Sequence, residues 1–327
     1  MSSWSCPPSI LNVPASALHV DDVDEEIFSL YTRKLGVAEK DTAASRFERG
    51  SSTKTSSPGL GFLDTTKEVL VVSLLVEPPT GVLSSNVSTG LYKLSRGKAS
   101  LKKTGGGSSP LPKELEVMVC QDLQALRHRK GDTGSVVWRV SIHLAHQILS
   151  NHFFPSPAQP PLFHDLSKLR VLELSSGTGF LGCALAPIFQ HWTFTDQFES
   201  LALIQRTVFK NQGIKTLMGP KKVEIQELDW LEEAKASASN LTRPPNDDCI
   251  YNPSLSKPLA RTISNRSIKG KTVILVASEL RDQDALEIFL AEWMELGFEV
   301  KRLTFEQHLK AQGLGGNEFL VWLGWKA

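Results

Sequence analysis

The sequence predicts an α/β chain built on a doubly wound parallel sheet, and three observations carry that reading. A short apolar run with one acid, Val171-Leu172-Glu173-Leu174, passes into Ser175-Ser176-Gly177-Thr178-Gly179 and then into Phe180, Leu181 and Leu185 at helical spacing. A buried strand, a tight glycine turn and a helix start produce that order. From there strand-like and helix-like patterns alternate: strand 169–174, helix 179–189, strand 192–196, helix 198–211 and strand 222–228. Such alternation marks a parallel sheet with crossover helices. Acids close the second and third of these strands, Asp196 and Asp229, at the sheet edge where such folds bind ligands.

The remaining elements follow in order. Residues 1–20 are poor in charge and punctuated by Pro7, Pro8 and Pro14, which reads as a flexible lead. Residues 21–35 place acids first and then Ile27, Phe28, Leu30, Tyr31 and Leu35 at helical intervals, a short amphipathic helix. Residues 41–61, rich in Ser, Thr and Gly, read as a loop. Residues 68–76 form an apolar β-rich run ending at Pro78-Pro79. Residues 94–112, with three lysines and Gly105-Gly106-Gly107, read as a solvated connector, and Val117–Val119 as a returning strand. Thr133-Gly134-Ser135 opens a helix expected over 136–149. Beyond the central strands come a helix over 253–264, a strand over 271–278, a helix over 282–296 stopped by Gly297, and a final hairpin of 298–303 and 318–323.

Composition bounds the function. At 327 residues with 41% hydrophobic content, the chain can bury a full α/β core and still carry an extension. A net charge of +1 gives no broad footprint for nucleic acid or an anionic membrane, and the basic clusters Arg127–Lys130 and Lys221-Lys222 read as solvated surface. Four scattered cysteines show neither a disulfide framework nor metal-ligand spacing. His143 and His146 lie three apart without an accompanying acid or cysteine, so packing or surface is expected and no metal. With no basic leader and no long apolar run, the expectation is a soluble, cytoplasmic chain with a possible nuclear fraction, a monomer that touches neither nucleic acid nor membrane.

The glycine turn points to a nucleotide-type cofactor. Asp196, about 20 residues beyond the turn, suits the two hydroxyls of a ribose. The first glycine of a Gly-x-Gly-x-x-Gly register is replaced by Ser175, and Glu173 stands two residues before the turn, where a carboxylate can hold an ammonium. That favours S-adenosylmethionine over a nicotinamide dinucleotide.

Val-Leu-Glu-Leu-Ser-Ser-Gly-Thr-Gly, residues 171–179, resembles motif I of the seven-β-strand methyltransferases. Residues 133–138 (Thr-Gly-Ser-Val-Val-Trp), Leu228-Asp229-Trp230 and Asp248-Cys249-Ile250-Tyr251 are similar to the further signatures of one branch, the protein-lysine methyltransferases marked by an Asp/Glu-x-x-Tyr motif. The four stretches occur in the family's order, and the resemblance spans roughly residues 120–325. Within the branch the chain resembles fungal members, including the ribosomal-protein lysine methyltransferase.

The resemblance implies a Rossmann-like seven-stranded methyltransferase sheet over 120–327, preceded by a β-containing extension over 1–119. It implies cofactor contacts from Trp138, Glu173, Ser175, Ser176, Gly177, Gly179, Asp196, Asp229, Trp230 and Asp247, with Asp229 and Trp230 at the adenine. Asp248 and Tyr251 are the catalytic candidates, Asp248 to orient the incoming amine and Tyr251 to offer its ring or hydroxyl. Trp138 is open to the alternative of a plain core aromatic, and Asp248 with Tyr251 to that of a helix cap with a packed tyrosine. Glu279-Leu280-Arg281 lies at the site edge, facing substrate or capping a loop. The implied reaction is S-adenosylmethionine-dependent methylation of a lysine on a protein of the ribosome or translation machinery.

One stretch departs from the pattern. The family carries a fourth, strongly apolar strand running into Asp-x-x-Tyr, but residues 234–247 hold two prolines and no apolar run. The fourth strand is therefore expected to be missing or shortened. The alternative reading is a truncated or catalytically inactive methyltransferase-like binding protein.

Overall fold

Parallel strands with apolar side chains on both faces need helices above and below them, and the computed structural model supplies these over most of the chain. It describes residues 6–32, 61–78, 92–94, 113–128, 134–155, 160–212, 223–236, 253–303 and 319–327. The first elements are β1 (Leu18–His19), α1 (residues 23–32), β2 (Val69–Val76), β3 (Tyr92–Leu94), β4 (Lys113–Cys120), α2 (Leu123–His128) and α3 (Arg139–Phe153). The central units are β5 (Arg170–Glu173), α4 (Phe180–Leu185), β6 (His191–Asp196), α5 (Phe198–Lys210), β7 (Val223–Glu227) and α6 (Trp230–Ala236). The chain closes with α7 (Pro253–Asn265), β8 (Ile274–Glu279), α8 (Gln283–Glu295), β9 (Phe298–Leu303) and β10 (Phe319–Lys326).

The strands fall into three sheets. β5-β6-β7 is parallel, with Glu173 opposite Phe194 and Asp196 opposite Glu227, so the carboxyl ends of all three strands emerge at one edge. β1-β9-β10-β8 is antiparallel, with β10 in the middle pairing both β9 and β8. β3-β2-β4 is an antiparallel sheet of the N-terminal part. Among the described residues no strand lies between β5 and β8. The stretch where the fourth strand was expected to be missing or shortened, residues 237–252, lies outside the described residues.

Three apolar clusters hold the layers together. Leu70, Val72, Leu74, Val117 and Val119 of β2 and β4 pack with Ile142 of α3, Phe180 and Leu185 of α4, and Phe194 of β6. The outer edge of β4 is satisfied by side chains of α5 and the residue after it: Asn211 bonds both the N–H (3.0 Å) and C=O (2.6 Å) of Met118, and Thr207 accepts from Cys120 N (3.1 Å). Ile27 and Leu30 of α1 join Leu259, Phe289, Trp293 and Trp322 in the second cluster. Leu11, Leu303, Val321 and Trp325 form the third.

The lead of the chain is more ordered than its prolines suggest. Leu11 N bonds Pro8 O (2.9 Å) and Ala17 N bonds Pro14 O (3.0 Å), so the prolines start turns, and β1 then pairs β9. A fixed proline φ favours such turns. The connector expected over 94–112 and the loop over 41–61 lie almost wholly outside the described residues.

Boundaries shift for identifiable reasons. The helix expected from 136 starts at Arg139, because Phe62 bridges Trp138 and Leu63 N bonds Val137 O (2.9 Å), which holds residues 137–138 extended. The helix expected to reach 189 stops as an α-helix at Leu185 and gives way to a tighter turn, Ala186–Ile188, carrying Pro187. The strand expected from 271 begins at Ile274, after a turn in which Lys271 N bonds Ile268 O (3.1 Å). His143 is buried and stacked on Phe319 at 4.0 Å, and burial lowers its pKa to about 4, which matches the packing reading. No group of metal-ligating side chains occurs among the described residues, and none of their helices is long and apolar enough to cross a membrane.

Candidate functional site

The site is built where β5 turns into α4. Ser175 (φ 51°), Gly177 (φ 52°) and Gly179 (φ 75°) all take left-handed backbone within five residues, and only Ser175 does so with a side chain. Gly177 has a second constraint. A Cβ there would lie 2.8 Å from the carbonyl oxygen of Gly134, so two backbone loops meet with no room for a side chain. Ser176 N donates to Thr195 O (2.9 Å) and Thr195 N donates to Ser176 Oγ (3.1 Å), pinning the turn to β6.

Asp196 closes β6 beside that turn. Its Oδ2 accepts from Gly177 N and its Oδ1 from Gln197 N, both at 2.8 Å. Asp229 caps α6, accepting from Leu231 N at 2.7 Å, and presents Trp230 to the same cavity. Trp230 is buried among Leu259, Ile263 and Leu286 while still lining the cavity wall.

The cavity measures about 1070 Å³ and is lined at the carboxyl edge by Gly134, Trp138, Ser175, Gly177, Asp196 and Trp230. Trp138 is half-buried, with the Phe62 ring edge-on at 4.7 Å and the Arg281 guanidinium over its face at 4.4 Å. Arg281 also donates to the buried carboxylate of Glu279 (Nε, 3.0 Å). Gly61 packs against this pair, since a Cβ there would overlap both side chains.

Glu173 lines the same cavity and is also tied to the neighbouring strand. Its carboxyl accepts from Trp192 Nε1 at 2.8 Å, and burial pushes its pKa up to about 8, against the opposing pull of that bond and those from Ser176 and Gly182. The geometry makes it a brace between β5 and β6. Gly182 belongs to the same brace, because a Cβ there would meet the Phe194 ring at 2.1 Å and Trp192 Nε1 at 2.5 Å.

The structure thus gathers Trp138, Glu173, Ser175, Ser176, Gly177, Asp196, Asp229 and Trp230 around one cavity and puts Gly179 at the start of α4 behind it. Asp247, Asp248 and Tyr251 lie outside the described residues. Phe62 and Arg281 were not among the predicted cofactor contacts. Arg281 had a cue in its place after the fifth strand, whereas nothing in the sequence around Phe62 ties it to Trp138.

A nucleoside sulfonium fits these residues. Asp196 places a carboxylate in the cavity wall at the end of the second strand, Trp230 offers an indole to a purine, and the Gly134–Gly177 contact brings backbone to the cavity wall. Residues 119–295 match the family described as lysine methyltransferase, and the chain belongs to that family. Its cofactor is S-adenosylmethionine.

Two curated relatives are similar over parts of the chain. A Schizosaccharomyces pombe protein named diaminohydroxyphosphoribosylamino-pyrimidine deaminase is 30% identical over 205 residues, covering 58% of this chain and 45% of that protein. Protein N-lysine methyltransferase METTL21A of Danio rerio is 29% identical over 153 residues, 43% of this chain and 63% of that protein. The chain therefore spans about half the length of the curated relatives it matches. Among solved structures, mitomycin 7-O-methyltransferase MmcR overlaps at 15% identity over 62% of this chain and 60% of that one, with a TM-score of 0.40, too low to carry an argument.

Proposed function

We propose that the protein methylates a lysine side chain of another protein, using S-adenosylmethionine. The observation that carries this reading is the cavity at the carboxyl edge of β5–β7, where the Gly134–Gly177 contact, Asp196 and Trp230 converge. Membership of the lysine methyltransferase family supports the acceptor class. When bound, S-adenosylmethionine supplies an electrophilic methyl group on a sulfonium. Asp196 would accept the ribose hydroxyls, and Asp229 and Trp230 would hold the adenine. Ser175, Ser176, Gly177, Gly179 and Trp138 would shape the wall that excludes water. Glu173 serves by bracing the turn through Trp192.

An acceptor lysine must shed its proton from a free pKa of about 10.4, and desolvation beside a positive centre lowers that value. Asp248 and Tyr251 remain the candidates for orienting the amine, on the strength of the sequence motif. The acceptor we propose is a ribosomal or translation-factor protein, met in the cytoplasm by a monomer. Residues 120–327 would form the catalytic unit and residues 1–119 an extension.

The test is calorimetric titration with S-adenosylhomocysteine beside a Trp230→Phe variant, which keeps an aromatic in the apolar cluster. Binding on the order of micromolar that the variant weakens supports the cofactor site. Transfer of a labelled methyl group to ribosomal proteins, lost in Asp248→Ala, would support the reaction. A folded protein that binds no S-adenosylhomocysteine would sink the proposal and favour the second reading, an inactive methyltransferase-like binding protein. The sequence of residues 234–247, with two prolines and no apolar run, is what favours that second reading.

A further inference from the structure

Trp138 lines the cavity from the N-cap position of α3. An N-cap residue ordinarily satisfies a free helix N–H with its own side chain, and Trp138 makes no such bond. The N–H of Arg139 goes instead to Gly61 O at 3.0 Å, and Leu63 N donates to Val137 O at 2.9 Å. Backbone from the amino-terminal extension thus fixes where the Trp138 backbone stands. The ring is fixed separately. Phe62 meets it edge-on at 4.7 Å, and the Arg281 guanidinium covers its face at 4.4 Å.

Arg281 has little freedom in that place. Its Nε (3.0 Å) and Nη2 both donate to one carboxylate oxygen of Glu279, the last residue of β8. Glu279 is 2% exposed and pairs with Phe319 in the β8–β10 ladder. The residue after Arg281, Asp282, caps α8. Two N–H groups on one oxygen hold the plane of the guanidinium, which then presents a flat cation to the indole. Gly61 closes the outer side, because a Cβ there would overlap the head groups of both Arg281 and Glu279. Relief would come at the long Arg281 side chain, whose head would swing off the indole. Neither Glu279 nor Arg281 is among the described residues that line the cavity, so Arg281 reaches its wall through Trp138.

We propose that Arg281 is a positioning residue for the cofactor site: gripped by Glu279 and closed in by Gly61, it holds the Trp138 ring in the cavity wall. The inference rests on reading that cavity as the S-adenosylmethionine site. It makes residues 61–63 of the extension part of the site's support, since they fix the Trp138 backbone and leave Arg281 its place over the ring.

The test is a double-mutant cycle on the full chain, read as S-adenosylhomocysteine affinity by calorimetry, with the melting temperature of the free protein as a second readout. Arg281→Gln should weaken binding about tenfold in the parent, the scale of one desolvated cation–π contact. In a Trp138→Leu background the same change should leave affinity as it is. If Trp138→Leu does not fold, Trp138→Phe is the background, and Arg281→Gln should cost less there than in the parent. Arg281→Lys should recover part of the loss, because it returns the cation without the planar fork. Gly61→Ala should also weaken binding, and should add nothing to Arg281→Gln. Equal losses of affinity in the two backgrounds overturn the proposal, since Arg281 would then act independently of the indole. So does full affinity in Arg281→Gln or in Gly61→Ala, and so does a fall in melting temperature with affinity intact, which is the mark of a purely structural pair. A folded parent that binds no S-adenosylhomocysteine overturns the cofactor reading and this inference together, whereas a parent that binds and shows additive losses overturns this inference alone.

Discussion

Trp192 donates its indole N–H to the carboxyl of Glu173 across 2.8 Å, joining the second parallel strand to the end of the first. The pair sits directly behind the glycine turn, so its protonation state bears on the turn's stability. Burial raises the Glu173 pKa from 4.5 to about 8. Between those values the folded state keeps its proton and the unfolded state releases it. Unfolding is therefore progressively favoured as pH rises through that window. Glu173→Gln keeps an acceptor for Trp192 and removes the titration. Its stability is expected to fall less than that of the natural protein between about pH 5 and pH 8, as measured by urea unfolding at a series of pH values.

Gly177→Ala should damage the site more than the fold as a whole. The added methyl would lie 2.8 Å from Gly134 O at a backbone φ of 52°. Strain of that kind costs about 1–3 kcal/mol, and relief requires the two loops to separate. We expect S-adenosylhomocysteine affinity to drop more than tenfold by the order-of-magnitude rule of about 1.4 kcal/mol per decade, while the far-ultraviolet dichroism stays unchanged.

Gly182→Ala tests the brace from the other side. Its Cβ would overlap the Phe194 ring and Trp192 Nε1, both behind the turn. Overpacking of a core costs about 1–3 kcal/mol, read as a lower denaturant midpoint. A variant as stable as the parent would show that α4 can slide away from β6.

Glu26 and Arg302 form a buried pair at 3.3 Å, and Trp322 Nε1 also donates to Glu26 at 3.1 Å. Removing one partner of such a pair leaves an uncompensated charge and costs about 3–5 kcal/mol. Glu26→Ala should accordingly release α1 from β9 and β10, and limited proteolysis should cut first near the amino terminus.

Asp282 accepts from Ala285 N at 2.9 Å and caps α8. Asp282→Ala is expected to cost about 1 kcal/mol, and Asp282→Asn much less, because asparagine caps equally well. Thermal unfolding of the two variants separates capping from charge. Equal losses would mean that the charge is what matters.

The amino-acid order alone determined the repeating units. Apolar runs bounded by turn residues set β2, β5, β6, β9 and β10, and helical spacing set α5, α7 and α8, because these patterns are local and each has a fixed period. The glycine turn and Asp196 were legible for the same reason: left-handed backbone needs glycine, and a carboxylate at a strand end is visible in one dimension.

Tertiary structure decided the rest. The bond from Trp192 to Glu173 could not be read from the sequence, because which way a strand-end side chain turns depends on the neighbouring strand. Trp138 stays outside the helix it was expected to join because residues 61–63 pair with 137–139 from far along the chain. The lead segment folds back because β9 offers an edge to β1.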